Sequence, residues 1–294
     1  MKILRVTGDL YPSLIGGIAV HAHEMSKVQA NLGNRVTVYT SLWENEQSEE
    51  QREGYNIVRF KGMVILRNNI SLQLFFRLLR ERNEYDICHA HSHLFFSTAL
   101  CALMRKLGSP PLVVTNHGLI SKAVPLWFHR AYMALIGKWI YRAADAAVCY
   151  TEIEKDQLVK IGVPSKKIIT IHNGVDTNRF SPRVDVVRKK QILWIGRYAP
   201  EKGINYLLRG FQLFSKEFPD YALMMVGQGP LKDASIKLIE ELGLQDNVII
   251  KDFVENQELP ELYNQSSVFI LPSLAEGVPR TILEAMACGT PVVC

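Results

Sequence analysis

Short apolar runs rich in β-branched residues alternate with helix-length patterns along this chain, and the alternation is interrupted once and then restarts. KILRVTG, RVTVYT, DICHAH, PLVVTNHG, AAVCYT and KIITIHNGV read as strands, with a helix from about Val20 to Leu32 after the first of them. A polar, charge-rich stretch follows, FSPRVDVVRKK from Phe180 to Lys190, before QILWIGRYAPEKG, ALMMVGQG, NVIIKDFV, SVFILPS and TPVVC resume the pattern. Strands of this kind separated by helices build parallel sheets with crossover helices. The pattern therefore predicts an α/β chain with a first doubly wound domain over residues 1–176, a linker over 177–190 and a second domain over 191–294. A length of 294 residues agrees, being long for one core and short for three domains.

Composition narrows the class of molecule. Hydrophobic content of 48% with 21% charged residues is that of a soluble globular protein. The formal charge of +5 suits anionic partners without choosing among them. Basic runs and an aromatic RNA-reading motif are both missing, so no nucleic acid is expected. Cys88, Cys101, Cys149, Cys288 and Cys294 are odd in number, widely spaced and set mostly in apolar runs, which reads as reduced core thiols of a cytoplasmic protein. The opening MKILRVTGDLYP reaches a glycine and an aspartate before any stretch long enough for a signal peptide or membrane span.

Open parallel sheets bind ligands beyond the carboxyl ends of their strands, and the informative residues fall there. Gly16 and Gly17 stand between the first strand and its helix, where a bare backbone can approach an anion or simply make a turn. His117, after VVTN, projects from a strand end and can donate to a sugar hydroxyl or a carbonyl. His89, His91 and His93 alternate like a strand, so their rings should face one side. No cysteine or acidic residue stands at a supporting spacing, and no metal site is expected. In GRYAPEKG, Arg197 and Lys202 can clamp a diphosphate while Gly196 and Gly203 keep the loop tight. In LAEGVPRTILEAM, Glu276 falls on the loop and Glu284 in the early turns of a helix whose first turn holds Pro279. Gly277, Val278 and Arg280 between them offer backbone amides to an anion.

GRYAPEKG followed by LPSLAEGVPRTILEAMACGTPVV resembles the retaining family 4 glycosyltransferases of the two-domain GT-B type, and HNGVDTNRFSP resembles that family's interdomain phrase. The resemblance implies two Rossmann-like domains facing across a cleft, with the second incomplete at Cys294. It implies transfer of a sugar from a nucleotide-sugar donor, with no cofactor and no metal, in polysaccharide, glycolipid or other glycoconjugate synthesis. Arg197 and Lys202 would hold the donor diphosphate, and Gly16 and Gly17 would meet it from the first domain. Glu284 would bind the ribose hydroxyls, Gly277 and Val278 would line the donor loop, and Glu276 and His117 would contact the transferred sugar as catalytic residues. Many relatives carry a second glycine where this chain has Pro279, so Arg280 becomes a candidate reader of an acidic or bulky donor group. A phosphorylase-like enzyme would require a cofactor lysine phrase that is missing; a noncatalytic nucleotide-binding module of the same architecture is the alternative. The acceptor stays open among sugar, lipid-linked and small-molecule classes. SLQLFFRLLRERNEY and PLWFHRAYMALIGKWIYRAADA mix aromatic, aliphatic and basic residues at helical spacing. Peripheral docking on an anionic membrane and core-facing helices with snorkelling cations both fit them.

Overall fold

Val6, Tyr39, Ala90 and Val114 form one rung across four parallel strands, and none of them is exposed to solvent. Burial on both faces is why these strands read as continuous apolar runs. The computed structural model describes residues 1–13, 16–65, 68–119, 125–274, 276 and 278–294. It divides into two units, Met1–His172 and Asn173–Cys294.

The first unit runs β1 (Lys2–Val6), α1 (Gly17–Asn31), β2 (Arg35–Ser41), β3 (Glu49–Arg52), β4 (Tyr55–Phe60), β5 (Met63–Ile65), β6 (Asn68–Ile70), α2 (Leu72–Arg80), β7 (Ile87–His91), α3 (Phe96–Lys106), β8 (Leu112–Thr115), α4 (Leu126–Tyr132), α5 (Lys138–Ala143), β9 (Ala146–Cys149), α6 (Glu152–Lys160) and β10 (Ile168–Thr170). Its main sheet has the order β10-β9-β8-β7-β1-β2-β4-β3, parallel except for the β3–β4 edge. The chain winds outward from β1 through β2 and β4, then returns to the other side at β7, so β1 and β7 mark the point where the winding reverses. Helix α1 starts three residues before its expected beginning: Gly16 caps it, and its carbonyl accepts from the Val20 amide at 3.0 Å. Strands β3 to β6 are not among those read from the sequence: β3 (EEQR) has no apolar residue, while β4 (YNIVRF) does alternate, with Tyr55 and Ile57 buried, and was missed. At the β3–β4 edge the buried Arg59 holds Glu50 at 2.7 Å and Glu46 at 3.3 Å.

The second unit runs β11 (Lys189–Ile195), α7 (Ile204–Glu217), β12 (Ala222–Val226), α8 (Lys232–Glu241), β13 (Val248–Lys251), α9 (Leu259–Gln265), β14 (Ser266–Ile270), α10 (Arg280–Ala287) and β15 (Val292–Val293). The sheet order is β13-β12-β11-β14-β15, all parallel, and the winding reverses between β11 and β14. Leu193, Trp194, Met225 and Phe269 fill its core without exposure. The stretch read as a linker is bolted to this unit. Phe180 is buried in the same core, and Asn264 clasps the segment by accepting from the Arg183 amide and donating to the Ser181 carbonyl. Its polarity disguised one buried aromatic anchor.

Candidate functional site

In the second unit the loops leaving β11 and β14 meet at the reversal point, and backbone contact brings them together. Gly203 has φ +65, and a Cβ there would stand 1.9 Å from the Pro272 carbonyl oxygen. A Cβ on Gly227 would stand 1.9 Å from the Gly196 carbonyl oxygen. The Leu274 amide donates to the Glu201 carbonyl at 2.8 Å, tying one loop to the other. As a result Lys202 Nζ donates to Glu276 Oε1, pairing residues far apart in the chain with side chains 20% and 26% exposed. Arg197 is more open: its side chain is 52% exposed, with Nη2 3.3 Å from Glu201 Oε1. The cations expected to clamp a diphosphate thus each have a carboxylate companion, and the Glu201 partner gave no sign in the sequence beyond its place in the loop.

Glu284 differs from Glu276 in being buried. Its Oε2 accepts from the Tyr263 hydroxyl at 2.9 Å, and its Oε1 lies 3.9 Å from Arg280 Nε. Burial, and then the neighbouring Glu284 carboxylate, push the Tyr263 hydroxyl well above the usual phenol range, so it stays a donor. Pro279 is the N-cap of α10 and not part of its first turn, which places Glu284 one turn into the helix. The Asn173 side-chain amide donates to the Val278 carbonyl at 2.8 Å, tying the HNG phrase to the loop between β14 and α10. Gly277 lies outside the described residues.

In the first unit His117 follows β8 and is enclosed by rings. His91 Nδ1 lies 3.0 Å from His117 Nε2, and the Tyr150 hydroxyl lies 3.2 Å from its Nδ1. His21, on α1, sets its ring edge-on to His91, His117 and Tyr150. Burial, helped by His21, pushes His117 down to about 3, so it is neutral at ordinary pH. Beyond this group the His89 ring stacks on His91 at 4.6 Å between centroids, and its Nε2 is 2.7 Å from Thr115 Oγ1. Sequence reading had picked out His117 but neither His21 nor Tyr150 as its neighbours.

His93 corrects the expectation that three rings share one side. β7 ends at His91, Ser92 takes φ +61, and the His93 ring turns away to the Tyr141 hydroxyl at 2.9 Å. Among the described residues no group of three His, Cys, Asp or Glu side chains is arranged to hold a metal ion. Gly16 and Gly17, at the mouth of α1, differ from Gly203 and Gly227: among the described residues nothing lies within 4 Å of a Cβ built on either, and both are exposed. Their lack of a side chain is not demanded by packing and leaves the strand-to-helix turn bare.

The family profile described as Glycosyltransferase Family 4 matches residues 15–179, and that described as Glycosyl transferases group 1 matches residues 176–294. Relatives include an uncharacterised glycosyltransferase of Methanocaldococcus jannaschii, 25% identical over 100% of this chain and 80% of its own length. The GDP-mannose-dependent alpha-(1-6)-phosphatidylinositol monomannoside mannosyltransferase of Mycolicibacterium smegmatis is 27% identical over 99% of this chain and 79% of its own. Among solved structures, sucrose-phosphate synthase from Thermosynechococcus elongatus matches with a TM-score of 0.78 at 20% identity, over 99% of this chain and 80% of that one. Anabaena HepE in complex with UDP-glucose matches with a TM-score of 0.78 at 19% identity, over 99% and 79%. These structural likenesses bear on fold alone and agree with two Rossmann-like domains.

Proposed function

The chain belongs to glycosyltransferase family 4, and on that premise we propose that it transfers a hexose from a nucleoside diphosphate to an acceptor hydroxyl with retention of anomeric configuration. The observation that carries this reading is the meeting of Lys202 and Glu276 where the second sheet reverses its winding. The bond from the anomeric carbon to the diphosphate oxygen breaks, and the leaving group gains negative charge. Fixed cations stabilise that charge more in the transition state than in the ground state. An ammonium has three donors, so Lys202 can keep Glu276 and still reach a phosphate oxygen. Arg197 supplies a second, more mobile cation. With positive charge delivered by side chains, we read the reaction as independent of a divalent metal and of any cofactor. Glu276, oriented by Lys202, contacts the transferred sugar; Glu284, its rotamer set by Tyr263, takes the ribose hydroxyls; Gly16, Gly17 and the neutral His117 serve the donor from the first unit.

The test is the thermal shift of the full chain with UDP, GDP and ADP, beside Lys202→Ala and Glu284→Gln. GDP and UDP come first because the M. smegmatis relative is named for GDP-mannose and the Anabaena structure holds UDP-glucose. A ligand at one hundred times its Kd stabilises the folded state by about 2.7 kcal/mol. A shift with one nucleotide that survives EDTA and is lost in both variants supports the donor site. No shift from a folded sample would overturn it.

We also propose a peripheral contact with an anionic lipid surface, which fits a glycolipid or lipid-linked acceptor. Among the described residues no helix is long and apolar enough to cross a membrane. Yet Trp127 on α4 and Leu135 in the π-helical turn joining α4 to α5 are 71% and 74% exposed, while Ile140 and Tyr141 of α5 are buried. From Pro125 to Ala144 the chain has no acidic residue and carries Arg130, Lys138 and Arg142. Apolar side chains among cations alone suit an anionic interface. Co-sedimentation with phosphatidylglycerol vesicles, but not with phosphatidylcholine vesicles, and its loss in Trp127→Glu is the expected result; equal behaviour with both lipids would refute the contact.

A further inference from the structure

One ring beside His117 has no part in the chemistry above. His91 is fully buried, its Nδ1 is 3.0 Å from His117 Nε2, and its own Nε2 is buried with no hydrogen-bond partner among the described residues. Between two neutral imidazoles, one nitrogen must carry the proton and the other must accept. The orphaned Nε2 decides which. If His91 carried its proton there, an N–H donor would be buried unsatisfied. If the proton is on Nδ1, only a lone pair is idle, and unsatisfied buried N–H groups are the rarer defect in native proteins. His91 then donates from Nδ1 to His117 Nε2. The remaining His117 proton must sit on Nδ1, the nitrogen that lies 3.2 Å from the Tyr150 hydroxyl.

We propose that His91 is a positioning residue that locks His117 in its Nδ1–H tautomer, so that the one His117 N–H is fixed on the Tyr150 side of the ring, where an arriving sugar hydroxyl or phosphate oxygen shares it with Tyr150 or takes it over. The stack of His89 on His91, with Thr115 holding His89 from behind, keeps the His91 plane from turning. His21 closes the remaining side edge-on, and Arg5 lies past His89 with Nη2 3.5 Å from its Nδ1. Burial of His91 together with the nearby imidazoles and Arg5 keeps its ring neutral, so no second proton erases the distinction between tautomers. This deepens the reading in which His117 contacts the donor sugar and rests on it for its functional meaning; the tautomer itself does not.

Long-range proton–nitrogen spectra of the full chain, labelled with 15N-histidine, report which ring nitrogen bears the proton at about pH 7.5. The expected spectrum has His117 and His91 both protonated on Nδ1. In His91→Leu the His117 nitrogens should move towards mixed values, and His91→Asn, whose amide nitrogen can donate from about the Nδ1 position, should restore the pattern. A His117 protonated on Nε2 in the unaltered chain, or a His117 signal indifferent to folded His91→Leu, would overturn the proposal. If His91→Leu fails to fold, the unaltered spectrum and His91→Asn decide. A second arm follows release of nucleoside diphosphate from UDP-glucose and GDP-mannose. There kcat should fall by about tenfold or more in His91→Leu with KM held within about twofold, and His91→Asn should recover it. Unchanged kcat would overturn the positioning role. Absence of turnover by the unaltered chain would count against the transferase reading and leave the spectra to judge the tautomer.

Discussion

The two units place their candidate groups in opposite physical settings. In the first, His117 and its neighbours are rings, with His89 and His91 buried and His117 partly so, and the neutral form is favoured in these three; all eight histidines of the chain lie in this unit. In the second, Arg197, Lys202, Glu276 and Glu201 are charged, paired and partly open to water. The glycines contrast in the same way: a Cβ on Gly203, Gly227 or Gly229 of the second unit would press on backbone, while among the described residues nothing lies within 4 Å of one on Gly16 or Gly17. A buried neutral cluster must be built with the core and is costly to disturb; exposed ion pairs cost little to form and can exchange partners with a ligand. On the function proposed above, the difference separates residues that shape a site from residues that bind what enters it.

The largest expected effect tests the glycines. Gly203→Ala drives a Cβ into the Pro272 carbonyl and strains a left-handed backbone, and should destabilise the second unit by more than about 3 kcal/mol in urea unfolding. Gly17→Ala should change stability by about 1 kcal/mol or less, in the stabilising direction, because alanine favours helix; a nucleotide shift weakened in that variant would show that the bare turn serves a ligand. If both substitutions cost the same, the contrast is wrong.

Acid should act on a comparable scale, and on the first unit. His89, His91, His93 and His117 have folded pKa values below their ordinary value, with His93 and His117 at about 3. The unfolded chain therefore binds protons that the folded chain refuses once pH drops below about 6.5, and the native advantage shrinks as pH falls from there towards about 3. The loss should be on the order of 1–2 kcal/mol per histidine by about pH 5. Unfolding followed through Trp194, the sole tryptophan of the second unit, should be much less affected over that range, since that unit has no histidine.

A smaller effect distinguishes the two glutamates. Glu284→Ala strands the buried Tyr263 hydroxyl and should cost about 1–3 kcal/mol, with Glu284→Gln recovering most of it. Glu276→Gln should cost less than about 1 kcal/mol, because its pair with Lys202 is partly exposed. The smallest change in stability belongs to Arg197→Ala, within about 0.5 kcal/mol, yet it should weaken nucleotide affinity roughly tenfold. Thermal melts with and without nucleotide would separate the two numbers.

Much of this architecture was legible because burial writes itself into local composition: a strand covered on both faces is largely apolar, as ILWI is throughout and KILRV is apart from Lys2 and the buried Arg5. The edge strand EEQR was not legible, since it is held by its ladder and by ion pairs and not by apolar alternation. Phe180 was misjudged for a related reason: one buried aromatic among charges reads as a linker, although it anchors the segment in the second core. Lys202, Glu276, Glu284 and His117 were singled out from their positions at strand ends and helix starts. Their partners were not, and His93 was grouped with rings it leaves after one left-handed residue.

The sequence by itself determined two parallel-sheet units and where their main strands end, because side-chain period and apolar content are local properties that a single segment must satisfy. Only the tertiary structure decided which groups meet. Lys202 and Glu276 are 74 residues apart, His91 and His117 are 26, and Tyr263 and Glu284 are 21. Each pairing depends on which strands and helices become neighbours. That order follows from how the chain crosses its sheet, a cooperative choice of the whole unit that leaves no mark on the residues it brings together.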